Sequence, residues 1–158
     1  MITQFKLYEY SDFYSTEEQL CYYAKKGYIK QIKQALINGV NINSISQVEL
    51  TPLLFACREN EIETVEFLIN NGADVNYVTK TGKYNALHIS AINLNTIDIF
   101  KLLIDAGCDW NQKNKDNQDF IDILIIKNKI EILDKIKKLY PIKYLEYLKK
   151  LKARKYNI

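Results

Sequence analysis

The apolar positions of this 158-residue chain recur in steps of three and four, not two. Ile29, Ile32 and Leu36 form one set, Ile62, Val65, Leu68 and Ile69 a second, and Ile97, Phe100, Leu103 and Ile104 a third. That spacing lays each set along one face of a helix. A shorter apolar run precedes each set: Leu20 to Ala24, Leu53 to Cys57, and Leu87 to Ala91. Between the paired runs stand Gly27, Asn60 and Asn95, residue types that tolerate the left-handed conformation where one helix ends and the next begins. A glycine follows each second run, in Asn38-Gly39-Val40-Asn41-Ile42-Asn43, Asn71-Gly72-Ala73-Asp74-Val75-Asn76 and Ala106-Gly107-Cys108-Asp109-Trp110-Asn111. The predicted unit is helix, tight turn, helix, glycine stop and extended loop. Gly72 lies 33 residues after Gly39, and Gly107 lies 35 after Gly72. A period of that size marks stacked repeats and not a globule around one core.

The residues that open the units resemble the ankyrin repeat family. Thr51-Pro52-Leu53-Leu54-Phe55-Ala56-Cys57 is similar to that family's Thr-Pro-Leu-His-x-Ala-Ala signature, with Leu54 in place of histidine. Asn85-Ala86-Leu87-His88-Ile89-Ser90-Ala91 keeps the histidine and lacks the threonine and proline. Thr51 is suited to cap a helix and Pro52 to its first turn, where no amide donor is lost. The resemblance covers roughly residues 16–140. Its implied fold is all-α: a solenoid of stacked helix pairs with short extended hairpin loops and a C-terminal capping helix.

One domain over 1–158 is expected, with units at about 15–46, 47–80, 81–114 and 115–140 and a final helix over 141–155. The last unit is in register, because Thr51, Asn85 and Asp119 are spaced by 34 residues each. Atypical end units are expected where one face must meet water. Pro141 starts the final helix, with Ile142, Leu145, Leu148 and Leu151 expected against the end of the stack. The third unit carries two one-residue insertions, near Lys83-Tyr84 and near Asn93-Leu94. Local specialisation and drift in a tolerant loop both explain them. The leader Phe5, Leu7, Tyr8, Tyr10, Phe13 and Tyr14 either covers the first unit's open face or forms an adhesive patch.

The formal charge of +3 hides an uneven distribution. Residues 47–80 carry six acids against Arg58 and Lys80, while residues 141–158 carry six bases against Glu146. A whole-protein field suited to nucleic acid is absent. Ile, Asn and Lys are abundant, as in the AT-rich genomes of bacterial symbionts, low-GC bacteria or large DNA viruses. The start of the chain lacks a signal-peptide pattern, and the longest apolar run, Ile123 to Ile126, is too short to span a bilayer. Cys21, Cys57 and Cys108 are odd in number and fall in different units, which fits buried reduced thiols in the cytoplasm.

Little in the sequence carries chemistry. His88 is the only histidine, and the resemblance implies that it bonds neighbouring backbone to tie units together. Asp116, Asp119 and Asp122 form a carboxylate cluster that could be an acid–base pair or metal site; helix capping by Asp119 is the stronger reading. No catalytic set, metal ligand set or cofactor loop is expected. Lys143, Lys149, Lys150, Lys152, Arg154 and Lys155, interleaved with Tyr144, Tyr147 and Tyr156, suit either phosphate contact with base stacking or the wet face of a capping helix. Trp110 stands where the preceding unit has Val75, so packing is the expected role and a binding hot spot the competing one.

The resemblance further implies a concave groove lined by hairpin tips and first-helix ends. By register its residues are Lys25 and Lys26 in the first unit, and Gln47, Val48, Leu50, Arg58 and Glu59 in the second. The third contributes Lys80, Thr81, Lys83, Tyr84, Ile92, Asn93 and Leu94, and the fourth Lys115, Asp116, Gln118 and Lys127. Tyr84 is the expected hot spot. The function expected is non-catalytic binding of another protein, without small-molecule substrate, cofactor or membrane, by a chain monomeric on its own. An inhibitor of one partner, such as an immunity protein against a cognate bacterial toxin, is the first expectation. A host-directed bacterial or viral effector or adaptor is the alternative. Nucleic-acid binding through the basic tail is the weakest.

Overall fold

The computed structural model describes residues 15–93 and 96–156, with side chains described to Lys149. The aromatic leader, Leu94, Asn95 and the side chains of Lys150, Leu151, Lys152, Arg154, Lys155 and Tyr156 lie outside the described residues. Among the described residues every regular element is a helix. They are α1 (Thr16–Lys25), α2 (Ile29–Ile37), α3 (Pro52–Glu59), α4 (Ile62–Asn70), α5 (Ala86–Asn93), α6 (Asp98–Asp105), α7 (Phe120–Ile126), α8 (Ile130–Leu139) and α9 (Pro141–Tyr156).

Helix starts follow local chemistry. Thr51 caps α3 through its side-chain oxygen, which accepts the Leu54 amide at 3.3 Å, and Pro52 occupies the first turn. Asp119 caps α7 and Asp122 returns the bond, forming a reciprocal capping box. The tight turns between paired helices pass through left-handed residues: Gly27 at φ 69°, Asn60 at 63° and Asn128 at 55°. Gly39, Gly72 and Gly107 take φ 84°, 89° and 85° just beyond the second helices.

A side chain at Gly72 would meet nothing within 4 Å. The cost of replacing it is therefore conformational and not steric crowding by neighbours. Gly72→Val is expected to destabilise by about 1–3 kcal/mol, with Gly72→Asn milder because asparagine enters this region more readily. Equal denaturation midpoints for wild type and Gly72→Val would remove the strain argument.

The first helices of the pairs stack in one layer, α1 on α3, α3 on α5 and α5 on α7, with each partner helix behind. Ala24, Cys57 and Ala91 are buried at equivalent positions of the inner layer, where small side chains let helices approach. Between the layers lie Leu20, Ile32, Leu53, Leu68, Leu87, Phe100, Leu103 and Phe120, all essentially inaccessible.

The glycine loops form a second ladder along the stack. Asp74 and Asp109 each accept the amide two residues on, at 2.8 and 2.9 Å, which shapes their own turn. The asparagine closing each loop reaches the next unit. Asn43 Oδ1 accepts the Asp74 amide at 2.8 Å, and Asn76 Oδ1 accepts the Asp109 amide at 2.7 Å. The repeated Asp-x-Asn pattern is thus accounted for by backbone satisfaction between units.

The final helix departs from expectation. It packs on α8, but Ile142 and Leu145 are 73% and 57% exposed while Tyr147 is buried and Tyr144 and Leu148 are half-buried. Tyr147, with Tyr144 and Leu148 beside it, faces the stack, and Ile142 and Leu145 do not. Larger aromatic rings bury more area, and the Tyr147 hydroxyl donates to Asp122 Oδ1 at 3.3 Å; just before the helix, Tyr140 donates to Asp105 Oδ1 at 2.6 Å.

Candidate functional site

Three hairpin tips project beyond the inner helices, and each is closed in the same way. In the first, the Ser46 amide donates to the Leu50 carbonyl and the Glu49 amide to Ser46, at 3.0 and 2.9 Å. Thr79 with Tyr84 and Asn114 with Gln118 repeat the arrangement. The buried side chains of Ser46, Thr79 and Asn114 accept the amides of Leu50, Tyr84 and Gln118. Glu49, Lys83 and Asn117 hold positive φ at matching positions, 62°, 54° and 60°. The middle tip contains one more residue than its neighbours, so the predicted insertion near Lys83-Tyr84 lies in that turn. The insertion near Asn93-Leu94 adjoins residues outside the description.

The first tip is tied to α1, and neighbouring tips are tied to one another. Glu18 Oε1 accepts the Gln47 amide at 2.7 Å. Glu49 accepts both the amide and the hydroxyl of Thr81, at 2.9 and 2.8 Å, and its carbonyl accepts from Tyr77. The Lys115 amide donates to Gly82 at 3.0 Å. The result is a row of tips whose backbone is already ordered, which lowers the conformational cost of docking.

Glu49 makes this testable by pH. The Thr81 amide and hydroxyl hold its carboxyl below the ordinary range, with Lys80 adding a smaller push. A depressed carboxyl stabilises the fold above its unfolded value, about 4.3, and that stability is lost as pH falls through the lower folded value. The melting-temperature advantage of wild type over Glu49→Gln should therefore be present at neutral pH and vanish on acidification. A constant difference would show that the Glu49 clamp does not form.

The predicted contact residues divide into two groups. Lys26, Gln47, Val48, Glu59, Lys80, Thr81, Lys83, Asn93, Lys115 and Asp116 are exposed, and Lys25, Arg58, Tyr84 and Gln118 are half-buried. Leu50 is a correction: it is only 7% exposed, and its carbonyl accepts from Ser46 and from the Cys21 thiol. An apolar side chain at the foot of a tip gains more by closing against the stack than by facing water. Thr81 is engaged by Glu49, and the Asn93 side chain donates to the Ile89 carbonyl at 2.8 Å. Arg58 lies 4.8 Å over the Phe55 ring and pairs with Glu59 at 3.1 Å.

Tyr84 folds one face inward. Its ring lies where a Gly82 side chain would be, 2.5 Å from the position of a Cβ, and meets His88 edge-on at 5.8 Å. The other side lines a hollow of about 240 Å³ with Ile92, Ile123, Ile126 and Lys127. Sequence reasoning missed Ile126 as a surface residue. The available signal was its register, 34 residues after Ile92, itself 34 after Arg58.

The remaining chemical candidates are structural. His88 is buried, with Nε2 3.0 Å from the Gln118 carbonyl and Nδ1 beside Asn85. Burial lowers its pKa. Cys21 occupies the equivalent position in the first unit and points its thiol at the Leu50 carbonyl. Lys113 Nζ bridges Asp119 and Asp122, at 3.1 Å from the latter, and Asp116 stands apart, exposed. Among the described residues no group of three His, Cys, Asp or Glu is placed to hold a metal. All three cysteines are buried and unbridged, and burial pushes Cys21 and Cys108 up to about 12. Trp110 is buried against Phe120. Tyr147 is buried too and unavailable for base stacking. Among the described residues no helix is long and apolar enough to cross a membrane.

Comparison with known proteins agrees with this geometry. A family model described as three copies of ankyrin repeats matches residues 20–114. An ankyrin repeat protein of fowlpox virus (strain NVSL) is 35% identical over 115 residues, covering 71% of this chain and 33% of the viral protein. An ankyrin repeat protein of Acanthamoeba polyphaga mimivirus is 29% identical over 115 residues, covering 73% of this chain and 15% of that protein. Ankyrin repeat and SOCS box protein 11 of Homo sapiens is 28% identical over 109 residues, covering 68% of this chain and 32% of its own. The chain thus spans about a third or less of the length of these relatives. Such repeats make a protein–protein interaction module, a generally non-catalytic fold. With capped helix pairs, glycine stops and bonded tips all in one register, this chain belongs to the ankyrin repeat family.

Proposed function

We propose that this chain binds one protein partner across the face made by its hairpin tips and inner-helix ends, as a host-directed viral-type ankyrin module acting by occupancy. The observation that carries the reading is the contrast between the tips' backbone and their outward side chains. The backbone bonds repeat in register, while the exposed side chains after the first tip residue vary: Gln47-Val48 in the first tip, Lys80-Thr81 in the second and Lys115-Asp116 in the third. An ordered frame with variable outward residues suits selective recognition. Units 47–80 and 81–114 carry most of the contact in this reading. The chain is cytoplasmic and monomeric until it meets its partner, and needs no cofactor.

The viral relatives support the host-directed alternative over the cognate-toxin inhibitor. The toxin reading rests on the same array, with no support from the relatives described above. The test is affinity capture from host cells with quantitative mass spectrometry, followed by binding measurements on the recovered protein. Tyr84→Ala is expected to weaken binding by about 2 kcal/mol, roughly 30-fold, and Lys83→Glu should also weaken it. Lys33→Ala and Lys101→Ala, on the outer helices, should leave affinity unchanged. Equal losses from both faces would overturn the concave site. Rescue of bacteria from a co-expressed toxin would return the inhibitor reading.

A further inference from the structure

Equivalent positions at the ends of the inner helices change character along the stack. Lys25, Arg58, Ile92 and Ile126 occupy one row, one from each unit. Its first two residues are basic, with Arg58 paired to Glu59, and its last two are apolar. Ile126 is 64% exposed at the end of α7, unusual for an aliphatic side chain on a helix whose other apolar residues are mostly buried. It stands at the edge of the hollow lined by Tyr84, Ile92 and Ile123.

The amide groups of Asn114 in that hollow are already occupied. Asn114 Oδ1 accepts the Asp116 and Gln118 amides, and its Nδ2 donates to Gln118 Oε1 at 3.1 Å. The Gln118 carbonyl faces His88 Nε2. An apolar insert would cover Ile126 and Ile92 without displacing those bonds. Around the hollow lysines outnumber the exposed acid of the same tip, Asp116. Lys127 lines it, and Lys83 and Lys115 are the chain neighbours of the lining residues Tyr84 and Asn114. Among the described residues none of these three lysines makes an ion pair.

Resting on the concave-face reading above, we propose that the partner presents an acidic segment with a bulky apolar side chain. That side chain seats in the hollow between the third and fourth units, and the acids lie toward Lys25 and Arg58. The lysines select the segment by charge and the hollow sets its register. A segment bearing lysine or arginine at the same places is rejected by like charge.

The test is selection of random 12-residue peptides displayed on phage against the full chain, then fluorescence anisotropy with the enriched peptides. Enrichment of Asp or Glu beside Leu, Ile, Met or Phe is expected. Ile126→Asp should weaken such peptides at least tenfold, Ile126→Leu less than threefold, and neither should shift the melting temperature appreciably. Lys25→Glu with Lys127→Glu should raise Kd and flatten its salt dependence. Failure to enrich acidic-apolar peptides, or binding indifferent to Ile126→Asp, overturns the proposal. Displacement of the peptides by a 20-nucleotide oligo-dT would overturn it in favour of a nucleic-acid surface. Peptides lacking the signature yet lost on Lys83→Glu would sink this inference alone. Peptides insensitive to every change on the concave face would sink the functional reading with it.

Discussion

Trp110→Ala is expected to destabilise the fold by about 3–5 kcal/mol, the range for removing a large buried aromatic ring. Trp110 is 7% exposed and sits at the seam of the third and fourth units. Its ring meets Phe120 edge-on at 4.9 Å and Tyr140 at 6.3 Å. Tyr140 in turn bonds Asp105 across the outer layer. Loss of the indole therefore leaves a void at the point where α6, α7 and the start of α9 converge. The indole nitrogen is buried with no hydrogen-bond partner among the described residues, so no acceptor is orphaned by its removal. Trp110→Phe should for that reason recover most of the lost stability. Trp110 is the chain's only tryptophan, so unfolding must be followed by circular dichroism in denaturant. A cost below about 1 kcal/mol would revive the competing role of Trp110 in binding.

His88→Ala is expected to cost about 2–4 kcal/mol, combining a small cavity with the desolvation penalty of a buried carbonyl left unpaired. The imidazole links α5 to the next tip through the Gln118 carbonyl at 3.0 Å. It also braces Asn85, whose side chain donates to the Asp109 carbonyl at 2.9 Å. One ring thus ties its own helix start to the following unit. Cys21→Ala should cost less, because a thiol 3.8 Å from its acceptor is a weak donor. The pH dependence gives a second check. Burial lowers the His88 pKa, only partly offset by the Gln118 carbonyl and the Asp119 charge. The unfolded chain therefore takes up a proton first as pH falls below about 6.5. Stability should decline over that interval in wild type, and His88→Ala should lack this part of the slope. Identical slopes would show that His88 does not titrate differently on folding.

Helices, turns and repeat register are legible in the amino-acid sequence because each is governed by nearby residues. Thr51 and Pro52 start α3 by satisfying or omitting amide donors within one turn. Gly39, Gly72 and Gly107 accept positive φ without reference to what lies beside them. The three-and-four spacing determines which helix face turns inward, so Leu53, Leu87 and Phe100 are identifiable as core from the chain alone. His88 is readable too, because its place in the motif puts it opposite the next hairpin. Much of the tip row is legible by the same register: Val48, Lys80, Lys83 and Lys115 stand exposed where the spacing puts them.

Other features were decided by the stack. Glu49 and Lys83 are not residues that favour positive φ; they adopt it because the tip must close on Ser46 or Thr79 while neighbouring tips hold it in place. Leu50 shares a tip with exposed Val48, yet closure turns it toward Cys21 and into the core. In α9 the threes-spaced aliphatic residues suggest one inward face, but Ile142 and Leu145 turn outward while Tyr147 is buried with its hydroxyl on Asp122, distant in the chain. Ile126 belongs to the apolar run Ile123 to Ile126, which by composition alone reads as core. It is exposed because it falls on the open side of the inner layer, where no neighbouring helix covers it. Local preference specifies conformation over one or two turns; which of two apolar faces meets water depends on surfaces that come together only when the units stack.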